Sequence, residues 1–171
     1  MNIREELLKY QVQSKEQALR ISDYANASGE HFQELMNCFL SEDVTLAQRA
    51  AWSVSWAAQK NPEIVQPHIG SLVNQLGRKD VHNAVIRNSV RVLENLDIPD
   101  EFHGEILDAC FNFVQKRETP IAIKAFSLTI LFKLSKIYPE IKNELRTIIL
   151  QNMDYETAAF RSRGKKILAQ I

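Results

Sequence analysis

Apolar and polar positions along this chain alternate with a helical period. In "DVTLAQRAAWSVSWAAQKN", small and aliphatic side chains recur at Val44, Ala47, Ala51, Val54 and Ala58, an i, i+3, i+4 stripe that predicts one buried helix face. "VHNAVIRNSVRVLENL" repeats the stripe with Val81, Val85, Val92, Leu93 and Leu96. β-branched alternation is absent over any useful length, so the predicted elements are helices throughout. Their starts are also marked. Ser14 with Gln17 makes an S-x-x-Q capping box ahead of "ALRISDYANA", and Ser28 is placed to cap "EHFQELMNCFL".

The stripes themselves recur. Every second predicted helix carries a basic residue at Arg49, Arg87, Lys124 and Arg161, spaced 38, 37 and 37 positions apart. A small or short residue follows each (Ala50, Asn88, Ala125, Ser162), and an aliphatic comes about one and a half turns later at Val54, Val92, Ile130 and Ile167. The helices before them align on Leu35, Leu72, Ile106 and Leu145, and an acid (Asp43, Asp80, Glu118, Asp154) precedes each second helix. Between pairs stand Pro62, Pro99 and Pro139, each followed by an acid at Glu63, Asp100 and Glu140. Proline lacks the N–H and clashes with a preceding turn, so it punctuates helices; the acid then faces the positive end of the next helix dipole.

Helix pairs of this length and pattern resemble HEAT repeats and their armadillo-like relatives. The resemblance spans Glu30 to Ile171 in about four units, with Ile3–Ala27 as an additional capping pair. It implies an all-α, right-handed α-solenoid forming a single domain over 1–171, with the cap at 1–28 and repeats at 30–63, 64–101, 102–140 and 141–171. It also implies a polar ladder between repeats, pairing Asp43 with Arg49 and Glu118 with Lys124, then Asp80 with Arg87 and Asp154 with Arg161. The latter two pairs are one residue longer than the family spacing, and Gln48 stands where an aliphatic is usual.

The chain has 171 residues, with 45% hydrophobic and 25% charged side chains, which suits one domain and argues against wholesale disorder. Lys and Arg total 21 and Asp and Glu total 21, so no global field draws the chain onto nucleic acid or an anionic membrane. Cys38 and Cys110 stand alone in apolar runs, as buried reduced thiols do. The start "MNIREELLKY" has no apolar core of a signal peptide, and no apolar run approaches the roughly 20 residues of a membrane span. These features place the expectation in the cytoplasm.

Chemistry is sparse. His31 and His68 hold equivalent positions at first-helix starts, with His103 one residue off. Repeats stack at about 8–10 Å between helix axes, whereas metal ligands lie about 2 Å from a shared ion, so such histidines do not converge on one metal. No phosphate-cradling glycine loop, nucleophile elbow or cysteine–base pair is present, and no cofactor or catalysis is expected.

Two places suggest a surface instead. Trp52 and Trp56 lie i, i+4 on a second helix, on the side of Arg49 and Lys60, away from the alanine stripe. Second helices line the concave wall in the family that the chain resembles. The resemblance therefore implies a non-catalytic scaffold that holds a protein or peptide there, through Arg49, Trp52, Trp56, Arg87 and Arg91. Packing of both rings against an adjacent repeat is the competing placement. The second place is "RSRGKK" at Arg161–Lys166. With Lys124, Arg161 and Lys165, it suggests an alternative resembling the HEAT-like DNA-alkylation-repeat proteins, which grip a nucleic-acid backbone. A terminal helix polar on its outer side explains the same charges.

Overall fold

The computed structural model describes residues 1–171, all helical apart from turns and loops. Two compact units divide the chain at Leu96–Asp97. The first contains α1 (Ile3–Leu8), α2 (Lys15–Ala25), α3 (Gly29–Phe39), α4 (Val44–Lys60), the single turn α5 (Pro62–Val65), α6 (Ile69–Leu76) and α7 (Asn83–Leu93). The second contains α8 (His103–Gln115), α9 (Ile121–Ser135), α10 (Lys142–Asn152) and α11 (Ala158–Leu168).

Helix starts follow local chemistry. The Ser14 and Ser28 hydroxyls accept from the backbone N–H groups of Gln17 and His31 at 3.1 and 3.2 Å. Asp43 accepts from Leu46 N–H, and His82 Nδ1 from Ala84 N–H. The capping box at Ser14 closes on one side only. Gln17 does not return to the cap; its buried carboxamide donates to the Glu6 carbonyl and ties α2 to α1. Each punctuating proline opens a short element. Pro62 begins α5, Pro99 precedes a 3₁₀ turn at Asp100–Phe102, and Pro139 begins another at Pro139–Ile141. The acids after them fall in those first turns.

One helix organises each unit. In the first, α4 packs against α2, α3 and α7, and α6 packs on α7. In the second, α9 packs against α8, α10 and α11. The aligned positions share an environment: Leu35, Leu72, Ile106 and Leu145 are all completely buried, and Val54, Val92, Ile130 and Ile167 are buried as well. Of the α4 stripe, only Val44 is exposed. Of the short residues following the basic landmark, only Ser162 is exposed.

Side-chain contacts between helices recur at nearly one repeat length. Phe32 meets His68, Asp23 meets Lys60, Trp56 meets Arg91, His103 meets Tyr138, and Thr129 meets Arg163, all 34 to 37 residues apart. Within each unit, that recurrence is what successive helix pairs of similar length produce where they pack side by side. Within the first unit the matched ends also give direction. Gln13, just ahead of α2, donates to the Arg49 carbonyl early in α4, and Asp23 late in α2 and Asn26 just after it reach Lys60 and the Ala57 carbonyl. Hence α2 and α4 run parallel.

The ladder implied by the resemblance does not form. Asp43 serves as the α4 cap, Asp80 pairs with Arg78 two residues before it, and Glu118 and Asp154 are exposed without an ion pair. Arg49 and Lys124 take other partners, described below.

Candidate protein-interaction face

Helices α4 and α7 of the first unit carry most of the side chains proposed from sequence, with α2 packed beside α4. Arg49 is half-buried, and its guanidinium donates to the carbonyls of Leu7, Tyr10 and Gln11 at 2.7, 2.8 and 2.7 Å. Those carbonyls belong to the end of α1 and the loop after it, which have no helical N–H to receive. Arg49 is thus a clamp on that loop, with its donors directed inward.

Trp52 and Trp56 are both half-buried, one turn apart on α4. Trp56 holds two cations on its ring: Lys15 Nζ lies 5.0 Å from the centroid and Arg91 Cζ 5.4 Å. Both separations fall within cation–π range. Gln59, with its carboxamide oxygen turned to the guanidinium, accepts from Nε and Nη2 of Arg91 at 3.2 and 2.8 Å. So Trp56 and Gln59, one turn apart on α4, fix the Arg91 head from α7. The Trp56 indole N–H is buried without a hydrogen-bond partner. Trp52 makes no such ring contact. Arg87, one turn before Arg91 on α7, is exposed and unpaired.

The structure therefore joins Trp56 and Arg91 directly and puts Trp52 and Arg87 on the same pair of helices. It turns Arg49 to a structural task. Lys15 and Gln59 belong to this face and were not visible in the sequence pattern, because neither sits on a repeated landmark.

Helices α9 and α11 of the second unit treat their charges differently. Lys124 is 2% exposed, and its ammonium pairs with Glu156 and donates to the Arg117 carbonyl at 3.5 Å. Buried and ion-paired, it presents no ammonium to a phosphate at the surface. Arg163 donates to the Ala125 carbonyl at 3.0 Å and to Thr129 Oγ1 at 2.5 Å, with its guanidinium 5.3 Å from the Phe126 ring. Arg161 and Lys165, with Lys166, are exposed on α11. Gly164 lies between them on the face toward α10, where a Cβ would sit 2.8 Å from Ile149 Cγ2.

A HEAT repeat domain model matches residues 3–171. The chain belongs to the HEAT repeat family. Neither a curated protein nor a solved structure matches it.

Three histidines and both cysteines lie in packed surroundings. His103, the first residue of α8, is buried: Nε2–H donates to the Ile98 carbonyl at 2.9 Å and Tyr138 O–H donates to Nδ1 at 3.0 Å. His31 stacks on Tyr24 with centroids 4.1 Å apart. Burial lowers the pKa of His68, which lies beside Phe32. No group of three or more His, Cys, Asp or Glu is placed to hold a metal. Both thiols are free and buried; burial pushes Cys110 up to about 12 and raises Cys38, the latter with help from Glu34. No helix is long and apolar enough to cross a membrane.

Proposed function

We propose that this HEAT-repeat protein is a non-catalytic, cytoplasmic scaffold that holds a protein or peptide against the α2–α4–α7 layer. The reading takes the chain as a right-handed stack of about four helix pairs behind an N-terminal capping pair. The observation that carries the function is the ordered aromatic–cation cluster on α4 and α7. Trp56, Lys15, Gln59 and Arg91 are already fixed in the free protein, beside a half-buried Trp52 and an unpaired Arg87. Tryptophan and arginine dominate binding energy at interfaces, and side chains fixed beforehand lose less entropy on docking.

Nucleic-acid backbone binding is less well supported. Burial of Lys124 breaks the basic stripe, leaving Arg161 and Lys165 on one helix.

The test is a paired variant. Trp52→Ala with Arg87→Glu is expected to cut capture of the partner at least tenfold, with the melting temperature falling by only a few degrees. Undiminished capture by a folded double variant overturns the assignment of this face.

A further inference from the structure

Between α4 and α7, at their C-terminal ends, lies a cleft of about 290 Å3. Ala58, Pro62, Val92 and Leu96 line it with apolar surface, and Arg91 is the single charged residue among its lining side chains. Ser55 also lines it; that residue is 1% exposed, and its hydroxyl has no hydrogen-bond partner. A serine in mid-helix ordinarily bonds back to the carbonyl one turn earlier, as Ser89 does to Val85 on α7 at 2.8 Å. Ser55 does not, and neither do Ser53 and Ser127; of these three, Ser55 is the one that lines this cleft, where an occupant could satisfy it.

We infer that this cleft seats an acidic peptide segment, one aliphatic or aromatic side chain filling the apolar walls while an adjacent carboxylate meets Ser55 and Arg91. The inference deepens the proposed function and rests on it. Size limits the occupant, because small-molecule sites run from about 300 to 1,000 Å3 and this cleft lies just below that range. One or two side chains fill it. Charge sets the sign: Arg91 offers only donors, and its head is held by Trp56 and Gln59. Farther along α7, Arg87 is unpaired, and Lys15 from α2 lies 5.0 Å from the Trp56 ring centroid. A polyanion without an apolar group would leave four apolar walls wet, which sets a peptide apart from nucleic acid. A basic peptide would bring like charges to Arg91.

The probe is a fluorescein-labelled peptide, DEDLFDED, read by fluorescence anisotropy at low salt beside DEDAADED, KRKLFKRK and a random single-stranded DNA 20-mer. DEDLFDED is expected to bind at least tenfold more tightly than the other three. Ser55→Ala removes a hydroxyl that contributes no internal bond, so it should leave the melt unchanged and weaken DEDLFDED about tenfold. Ala58→Leu should fill the cleft and weaken it at least as much. Equal binding of DNA or of KRKLFKRK overturns the inference, as does DEDLFDED binding that neither variant alters. A random peptide library separates this failure from the wider one. Library ligands of neutral or basic character that are lost in Trp52→Ala sink the acidic-peptide inference and leave the face intact. A library from which no ligand depends on Trp52 or Arg87 sinks both.

Discussion

Helices α4 and α9 occupy the same place in their respective units, yet they dispose of the aligned basic residue in opposite ways. On α4 the buried set is small, mostly alanine and serine, and the helix leaves a half-open face bearing Trp52 and Trp56. Arg49 reaches back to the carbonyls of the preceding α1–α2 loop, where three neutral acceptors suffice for a guanidinium that keeps some solvent. On α9 the buried set contains Ile123, Leu128, Ile130, Leu131 and Leu134, and Lys124 is enclosed among them. An ammonium so placed needs a full counter-charge, and it reaches forward to Glu156 in the loop before α11. The difference shows that an aligned landmark fixes where on its helix the basic residue sits, not which partner it takes. It also separates a helix that presents a surface from one that closes a core.

The largest expected effect lies in the second unit. Glu156→Gln leaves the Lys124 ammonium buried without its counter-charge, a type of change that costs about 3–5 kcal/mol. Denaturant unfolding is expected to show that loss, and Lys124→Met combined with Glu156→Leu to recover most of it. A single variant as stable as the parent would mean that Lys124 finds water, and the contrast with Arg49 would disappear.

Arg49→Gln is the matching change in the first unit, with an expected loss of about 2 kcal/mol from three carbonyl bonds at a half-buried site. Arg49→Lys should recover only part, because a point charge does not serve three carbonyls as the planar fork does. A larger loss here than at Glu156 would reverse the comparison.

The thiols give a smaller, graded readout, with one in each unit. Cys110 in α8 is fully enclosed and its pKa rises to about 12, so alkylation at neutral pH should proceed only through opening of the second unit. Cys38, in α3, is 6% exposed and should react faster. The sign in pH follows from the direction. A thiol whose folded pKa is raised favours the fold below its unfolded value near 9, and that contribution is lost as pH climbs from about 9 toward about 12. Burial lowers the pKa of His68, so its contribution is intact above 6.5 and declines as pH falls below that value. Equal labelling rates for the two cysteines would contradict the picture of a closed second unit.

Much of the helical architecture was legible because hydrophobic burial repeats wherever helix pairs stack. The four aligned positions from Leu35 to Leu145 needed only periodicity, and all four are fully buried. The polar partners were less legible. Asp43 was a plausible ladder acid, but its carboxylate caps α4, and a cap within three residues outcompetes a longer reach. Glu156 lies two residues beyond the aligned acid and becomes the partner because the loop before α11 brings it to Lys124. The surroundings of Trp56 were half legible. Trp52, Trp56 and Arg91 followed from i, i+4 spacing, whereas Lys15 reaches Trp56 across 41 positions and Gln59 looks like ordinary helix surface. The Ser55 hydroxyl carries no sequence signal at all, since only packing reveals that its bond is missing.

Both tryptophans of the chain lie on α4, so intrinsic fluorescence reports that one helix. The most direct measurement is acrylamide quenching of a Trp56→Phe variant, in which Trp52 alone emits, free and with its partner bound. Docking on the α2–α4–α7 layer predicts a quenching constant that falls severalfold in the complex. A constant unchanged by a partner that is demonstrably bound would place the interaction elsewhere and contradict the assignment.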